Sequence, residues 1–246
     1  MSELERIEKL ENEIRELKGI DNNGLKSYAF SKITAKQLKD LVEIKQKIND
    51  NIFNDWFAFE INFDNILIDF LSTLITKNKS LIKSYNEEDL KVKFIIPLLN
   101  KVDFLSYTNE FRDFYELPLY YQNDKFIFNG TTDFVVSKGL FESQKPYFFI
   151  QEFKKGQTDG YPEPQLLAEL ISAIELNNET SMRGAYIVGA IWNFVILEKL
   201  GKDKYQYFVS ENFDSTKIVD LKGIYRNLVF VKEEIIEMIK KEKKNE

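Results

Sequence analysis

The sequence predicts a mixed α/β (α+β) domain, in which a mixed central sheet is flanked by helices behind a helical N-terminal region. Three observations predict it. Apolar residues recur at helical spacing as far as about residue 102 and change to strand-like runs from Tyr107. They return to helical spacing at "PEPQLLAELISAIELN" (162–177) and again from about Ser215. The resulting order is helices, then α-β-β-β-α-β-β-β, then a helix, and such an order packs helices against a sheet. The chain divides into a short coiled-coil-like helix (1–18), a helical region (25–85) and an α/β domain with a C-terminal helix (86–246).

The elements follow in order. Ile7, Leu10, Ile14 and Leu17 stand at 3-4-3 spacing, the seam of a two-heptad coiled coil and a candidate homodimer contact. A helix packed on its own domain satisfies the same spacing. "GIDNNG" (19–24) breaks the pattern and reads as a linker. Residues 34–50 read as a helix capped by Thr34, with Gln37 three positions on. Residues 51–84 are aromatic-rich and read as helical. Asn86 caps the next helix, "EEDLKVKFIIPLLNKV", whose apolar residues cover most of its circumference and so predict burial. Pro97 within it predicts a kink or an early stop.

Strands are expected at 110–121, 124–136 and 146–155, with "QND" and "SKGLFESQK" as turns. Pro162 and Pro164 stand at the entrance of the helix that follows. Further strands read at 183–191, 192–200 and 205–210. In the tail, Ile218, Leu221, Ile224, Leu228, Val231, Ile235 and Ile239 hold one helical face.

Composition restricts the chemistry. A length of 246 residues suffices for one well-cored domain with appendages, or for two small ones. No apolar run approaches the ~18 residues of a spanning helix. The charged N-terminus does not read as a secretory signal, so the expected compartment is the cytoplasm. Without cysteine there are no disulfides or thiolate metal sites. Without histidine there is no imidazole zinc site and no histidine-activated nucleophile. Any metal site must use oxygen ligands, which favour Mg²⁺ or Mn²⁺. The net charge of −6 gives no global basic footprint for nucleic acid, although it leaves room for a local groove.

Chemistry concentrates in "YFFIQEFKKGQ" (147–157). Glu152 and Lys154 are two apart on a strand and face the same side, while Phe153 faces the other. Burying such charges is costly unless they are paired or ligate something. Asp133, in "NGTTDFVV", falls beside Glu152 if the intervening turn pairs the two strands. Carboxylates that close repel and raise each other's pKa, and a divalent cation between them removes the penalty. Lys154 could then orient or help deprotonate a water, or stabilise charge growing on a phosphate. The plain alternative is an exposed edge pair worth ~0–1 kcal/mol.

Other residues carry two readings each. Lys91, Lys93 and Lys155 are phosphate contacts or a solvated face. Glu169, one turn after Gln165, either supports the site or is a surface glutamate. Trp192 and Phe194 stack on a base or pack in the core. Tyr161 lies in a loop near the site.

Asp133, then eighteen residues, then Glu152-x-Lys154 on an apolar strand resembles the PD-(D/E)XK nuclease superfamily, with Thr132 where the name places proline. The α-β-β-β-α-β order over 86–190 is similar to that superfamily's restriction-endonuclease-like core. "NEEDLKVKFIIPLL" resembles the first helix of the nuclease domain in type I restriction enzyme motor subunits, where a glutamate completes the acidic cluster. The resemblance covers roughly 86–200. It implies Glu87, with Glu88 a close second, as that glutamate, and Gln165 as the glutamine that follows the Glu-x-Lys strand. It implies a Mg²⁺- or Mn²⁺-dependent nuclease cutting phosphodiester bonds, foremost in DNA, in restriction or phage defence. Asp133, Glu152 and Glu87 would bind the metal, with a carbonyl near Phe153 as a further ligand. Lys154 would assist the water or the phosphate, and Gln165 would orient Lys154 or substrate. Two other classes compete: a non-catalytic interaction protein on the same fold, and a catalytic subunit that depends on a helicase or DNA-binding partner.

Overall fold

The computed structural model describes residues 24–154 and 161–245. The coiled-coil reading of 1–18, with its homodimer contact, the linker up to residue 23, and Lys155 lie outside the described residues.

The architecture is mixed α+β, with one mixed sheet flanked by helices. Its strands are β1 (Lys26–Ala29), β2 (Glu43–Gln46), β3 (Phe111–Gln122), β4 (Phe126–Lys138), β5 (Gln144–Lys154), β6 (Ser181–Val188), β7 (Ile191–Gly201), β8 (Lys204–Val209) and β9 (Phe213–Asp214). They run in the order β1-β4-β5-β6-β7-β8-β2, with β3 also on β4 and β9 on β7. The helices are α1 (Ala35–Leu41), α2 (Asn54–Phe57), α3 (Asn65–Asn78), α4 (87–102), α5 (Glu163–Asn177) and α6 (Ile218–Asn245). β5 and β6 are parallel and joined by α5, while β3–β4, β4–β5 and β6–β7 are antiparallel.

Each face of the sheet has its own core. On one, Phe134, Val136, Phe149, Phe153 and Phe194 pack against α3, α4 and α6. On the other, Val135, Ile150, Tyr186 and Val195 pack against α5, which is buried at every position from Gln165 to Ile174. α6 keeps its expected face, with Leu221, Ile224, Leu228, Val231, Ile235 and Ile239 buried; Ile218 lies at its exposed start. Among the described residues no helix is long and apolar enough to cross a membrane.

Three expectations are corrected. The helix read over 34–50 keeps its capping box, Thr34 with Gln37, but stops at Leu41. Beyond it Val42 and Ile44 alternate with polar residues, and β2 pairs in parallel with β8. The region 25–85 is therefore not all helical: it supplies both β1 and β2, and residues 51–84 are α-helical only in α2 and α3. Pro97 does not end α4. The turn before it, Lys91–Ile95, is π-helical, and the N–H of Ile96 reaches the carbonyl of Lys91. That widened turn eases the clash of the proline ring with the turn before it, and α4 runs on to Val102.

Candidate active site

The site forms where β4 changes partners. The β4–β5 ladder ends at Phe134↔Gln151, and β1 pairs with β4 only over Phe126–Asn129. Between the two partners the strand rolls over. Phe126 and Phe128 pack on one face, whereas Phe134 and Val136, at the same parity, pack on the other. Gly130 permits this with φ +145, and an added Cβ would meet Phe30 Cδ2 at 2.9 Å.

At the open end of the ladder, side chains replace strand pairing. The N–H of Asp133 donates to Glu152 Oε1 at 3.2 Å, and the N–H of Phe153 donates to Asp133 Oδ2 at 2.8 Å. Asp133 and Glu152 are thus neighbours, as their spacing led one to expect. Phe153 joins Asp133 through its amide N–H, not its carbonyl.

Glu152 is fully buried, and so is Glu169 on α5. Gln165 Nε2 donates to Glu169 Oε1 at 3.1 Å. With both carboxyls ionised, Oε2 of each has no donor among the described residues. Burial pushes Glu152 well above the usual carboxylate range, the negative charges of Glu169 and Asp133 push it further, and Lys154 opposes them. Burial pushes Glu169 up to about 8, with hydrogen bonds to Glu152 and Gln165 acting the other way. Both shifts favour the protonated form, and either a proton or a cation would relieve the repulsion of the two carboxyls.

Lys91 supplies the nearest cation. Its Nζ lies 2.8 Å from Asp133 Oδ1, 3.0 Å from Glu116 Oε1 and 3.7 Å from Glu87 Oε1. It also sits 5.6 Å from the centroid of the Phe153 ring. Burial works against the ammonium, but the hydrogen bond and charge of Asp133, then those of Glu116, outweigh it and hold Lys91 well above its usual pKa. Glu116 reaches Lys91 from a left-handed backbone at φ 49, within β3.

Lys154 is mostly buried, with Nζ 4.0 Å from Glu87 Oε2. Glu87 therefore meets two lysines, whereas Glu88 is exposed to solvent. The structure brings Asp133, Glu152 and the Phe153 amide into direct contact. It places Gln165 behind them through Glu169, and Glu87 across the lysines. Among the described residues no group of three or more Asp or Glu side chains is gathered closely enough to hold a metal.

Sequence reasoning underrated Glu169 and Lys91 and missed Glu116. For Glu169 a signal existed: it is the lone charge within the apolar run "LLAELISAI", one turn from Gln165. Nothing local marks Glu116, whose role depends on a long-range approach of α4. Trp192 and Phe194 are fully buried, which supports the core reading for both. Lys93 pairs with Asp89 at 2.6 Å on an exposed helix face. The Tyr161 hydroxyl meets that of Tyr186 at 2.9 Å.

Chemically, this is an oxygen-rich centre at a strand end, with two carboxyls held in low-dielectric surroundings and two ammonium groups at its border. It can hold a proton or a hard cation and can place positive charge beside an anionic ligand. The chain matches no known protein-family profile and no curated protein.

Proposed function

We propose that the chain is a divalent-metal-dependent nuclease of PD-(D/E)XK type on a restriction-endonuclease-like fold. It hydrolyses phosphodiester bonds, foremost in DNA, and is similar in role to the nuclease domain of type I restriction motor subunits. One observation carries the reading: Glu152 is a fully buried carboxylate with one oxygen lacking a donor, bonded to the backbone of Asp133 and two residues from Lys154. A fold built for stability alone would put an apolar residue there, because a buried carboxyl is costly whether it gives up its charge or keeps it unpaired.

The donors fit a hard cation. All are oxygens, three carboxylates and one backbone carbonyl, and the unpartnered Oε2 of Glu152 is the kind of atom that a cation satisfies. Asp133 and Glu152 would hold Mg²⁺ or Mn²⁺, with Glu87 and the Phe153 carbonyl as further donors. When bound, such an ion lowers the pKa of water and offsets charge on a phosphoryl oxygen. Lys154 places its Nζ at the border of the site, where it can hold a water or a phosphate oxygen. Gln165 fixes the orientation of Glu169, and so the wall against which Glu152 rests.

A second reading, a non-catalytic interaction protein, is favoured by the contact of Lys91 with Asp133, which neutralises that carboxylate without any metal. The net charge of −6 favours a third, a nuclease subunit that takes its DNA affinity from a helicase or other restriction-system partner.

The test is incubation of the purified protein with single- and double-stranded DNA and RNA in Mg²⁺ or Mn²⁺. Cleavage that is lost in Asp133→Ala and Glu152→Ala is expected. Intact substrates throughout, or full activity in Asp133→Ala, would count against the nuclease. Cleavage that needs an added partner would select the third reading.

A further inference from the structure

We propose that Lys91 is the resident cation of this site, and that a divalent metal binds Asp133 only by displacing it. The inference rests on the metal reading above and adds a competition which that reading does not require. The ammonium of Lys91 touches Asp133 at 2.8 Å and Glu116 at 3.0 Å, with Glu87 at 3.7 Å, and its side chain is only 12% exposed. Two carboxylates in direct contact with one positive centre, and a third at 3.7 Å, mark where this cluster takes up positive charge.

Two backbone irregularities put it there. α4 widens into its π-helical turn starting at Lys91, and β3 turns left-handed at Glu116. Both conformations are unfavourable on their own, and both concentrate at functional sites. Pro97 accounts for the π-helical turn, so the left-handed Glu116 is the irregularity that an ion pair serving stability alone would not need.

An independent observation shows that the cluster, with Glu152 ionised, is short of positive charge. Glu152, bonded to the N–H of Asp133, is fully buried and its Oε2 has no donor. One ammonium balances one carboxylate, whereas a divalent ion would balance Asp133 and Glu152 together. The exchange asks the flexible stem of Lys91 to swing outward with Glu116, which it already contacts and whose side chain is 65% exposed. There the freed ammonium stands at the mouth of the site, where an incoming phosphate would meet it.

The experiment is titration calorimetry of Mn²⁺ into the whole purified chain, comparing wild type with Lys91→Met, Lys91→Gln and Asp133→Ala. Removing a competing unit charge about 4 Å away should tighten Mn²⁺ binding at least about tenfold in the two Lys91 variants. Lys91→Gln keeps a polar head, so it serves if Lys91→Met fails to fold by circular dichroism. Mn²⁺ bound only by the Lys91 variants would also support the proposal. Equal or weaker binding in those variants, with wild-type binding abolished by Asp133→Ala, would overturn the competition and leave the metal site standing. No Mn²⁺ bound by any folded variant would overturn both.

Discussion

The backbone N–H of Asp133 donates to Glu152 Oε1 at 3.2 Å, and the carboxylate of Asp133 in turn takes the N–H of Phe153 at 2.8 Å. Side chains thus close two strands where their ladder stops. The same carboxylates proposed to hold a cation also satisfy backbone donors, so substitutions here must separate structural loss from lost chemistry.

Asp133→Asn and Asp133→Ala make that separation. Asparagine keeps an oxygen for the Phe153 amide, while alanine leaves that donor and Lys91 without Asp133. Alanine is expected to cost about 1–3 kcal/mol of stability and asparagine clearly less, because a buried unsatisfied donor is the larger penalty. Both should lose Mn²⁺ binding. Urea unfolding beside calorimetry would check this, and equal stability of the two variants would refute the structural half.

The acid pair predicts a pH profile for stability. Folding raises the pKa of Glu152 and pushes Glu169 from 4.5 up to about 8. Raised carboxyl pKa values mean that the native state binds more protons than the unfolded chain. The contribution is therefore fully present below about pH 4.5 and is lost as pH rises through about 8. Its size is on the order of a few kcal/mol. Melting temperature without divalent ions should fall over that window, less steeply in Glu169→Gln. A wild-type profile that is flat from pH 5 to about 8.5 would contradict the buried pair.

Much of this arrangement was legible in the sequence, and what was not has physical causes. β3, β4, β5 and α5 could be read from local periodicity because each is long and flanked by turn residues or prolines. β1 and β2 have four residues apiece and depend on distant partners, β4 and β8, for their pairing. The neighbourhood of Asp133 and Glu152 followed from strand order alone. The environment of Lys91 could not be read, because it needs the π-turn of α4 and the left-handed Glu116 together; Pro97 marks an irregularity in α4 without specifying a π-turn, and nothing local marks Glu116.

The region 25–85 should prove inseparable from the sheet. Trp56 is fully buried, its indole N–H donates to the carbonyl of Asn227 at 2.8 Å, and the guanidinium of Arg183 lies 4.7 Å from its ring centroid. It therefore ties the N-terminal segment to α6 and β6. Trp56→Ala is expected to cost about 3–5 kcal/mol by chemical denaturation. A loss under ~1 kcal/mol would mean that the region packs as an appendage.

Glu116 offers a test of strain at the border of the site. It lies between the register pairs Tyr115↔Phe134 and Leu117↔Thr132, and so opposite Asp133, with φ 49. Glycine in a strand interior ordinarily destabilises by about 0.5–1 kcal/mol. Here the left-handed backbone reverses that preference, since a residue with a Cβ pays roughly 1–2 kcal/mol for the conformation. The ion pair with Lys91 is lost equally in Glu116→Gly and Glu116→Ala, and with a carboxylate this exposed it is worth little to stability. The difference between the two variants therefore isolates the backbone. Glu116→Gly should be the more stable by about 1 kcal/mol in urea unfolding, and Glu116→Ala should fall at or below wild type. Were alanine the better residue, the turn in β3 would be unstrained, and strain could no longer explain how Glu116 is held against Lys91.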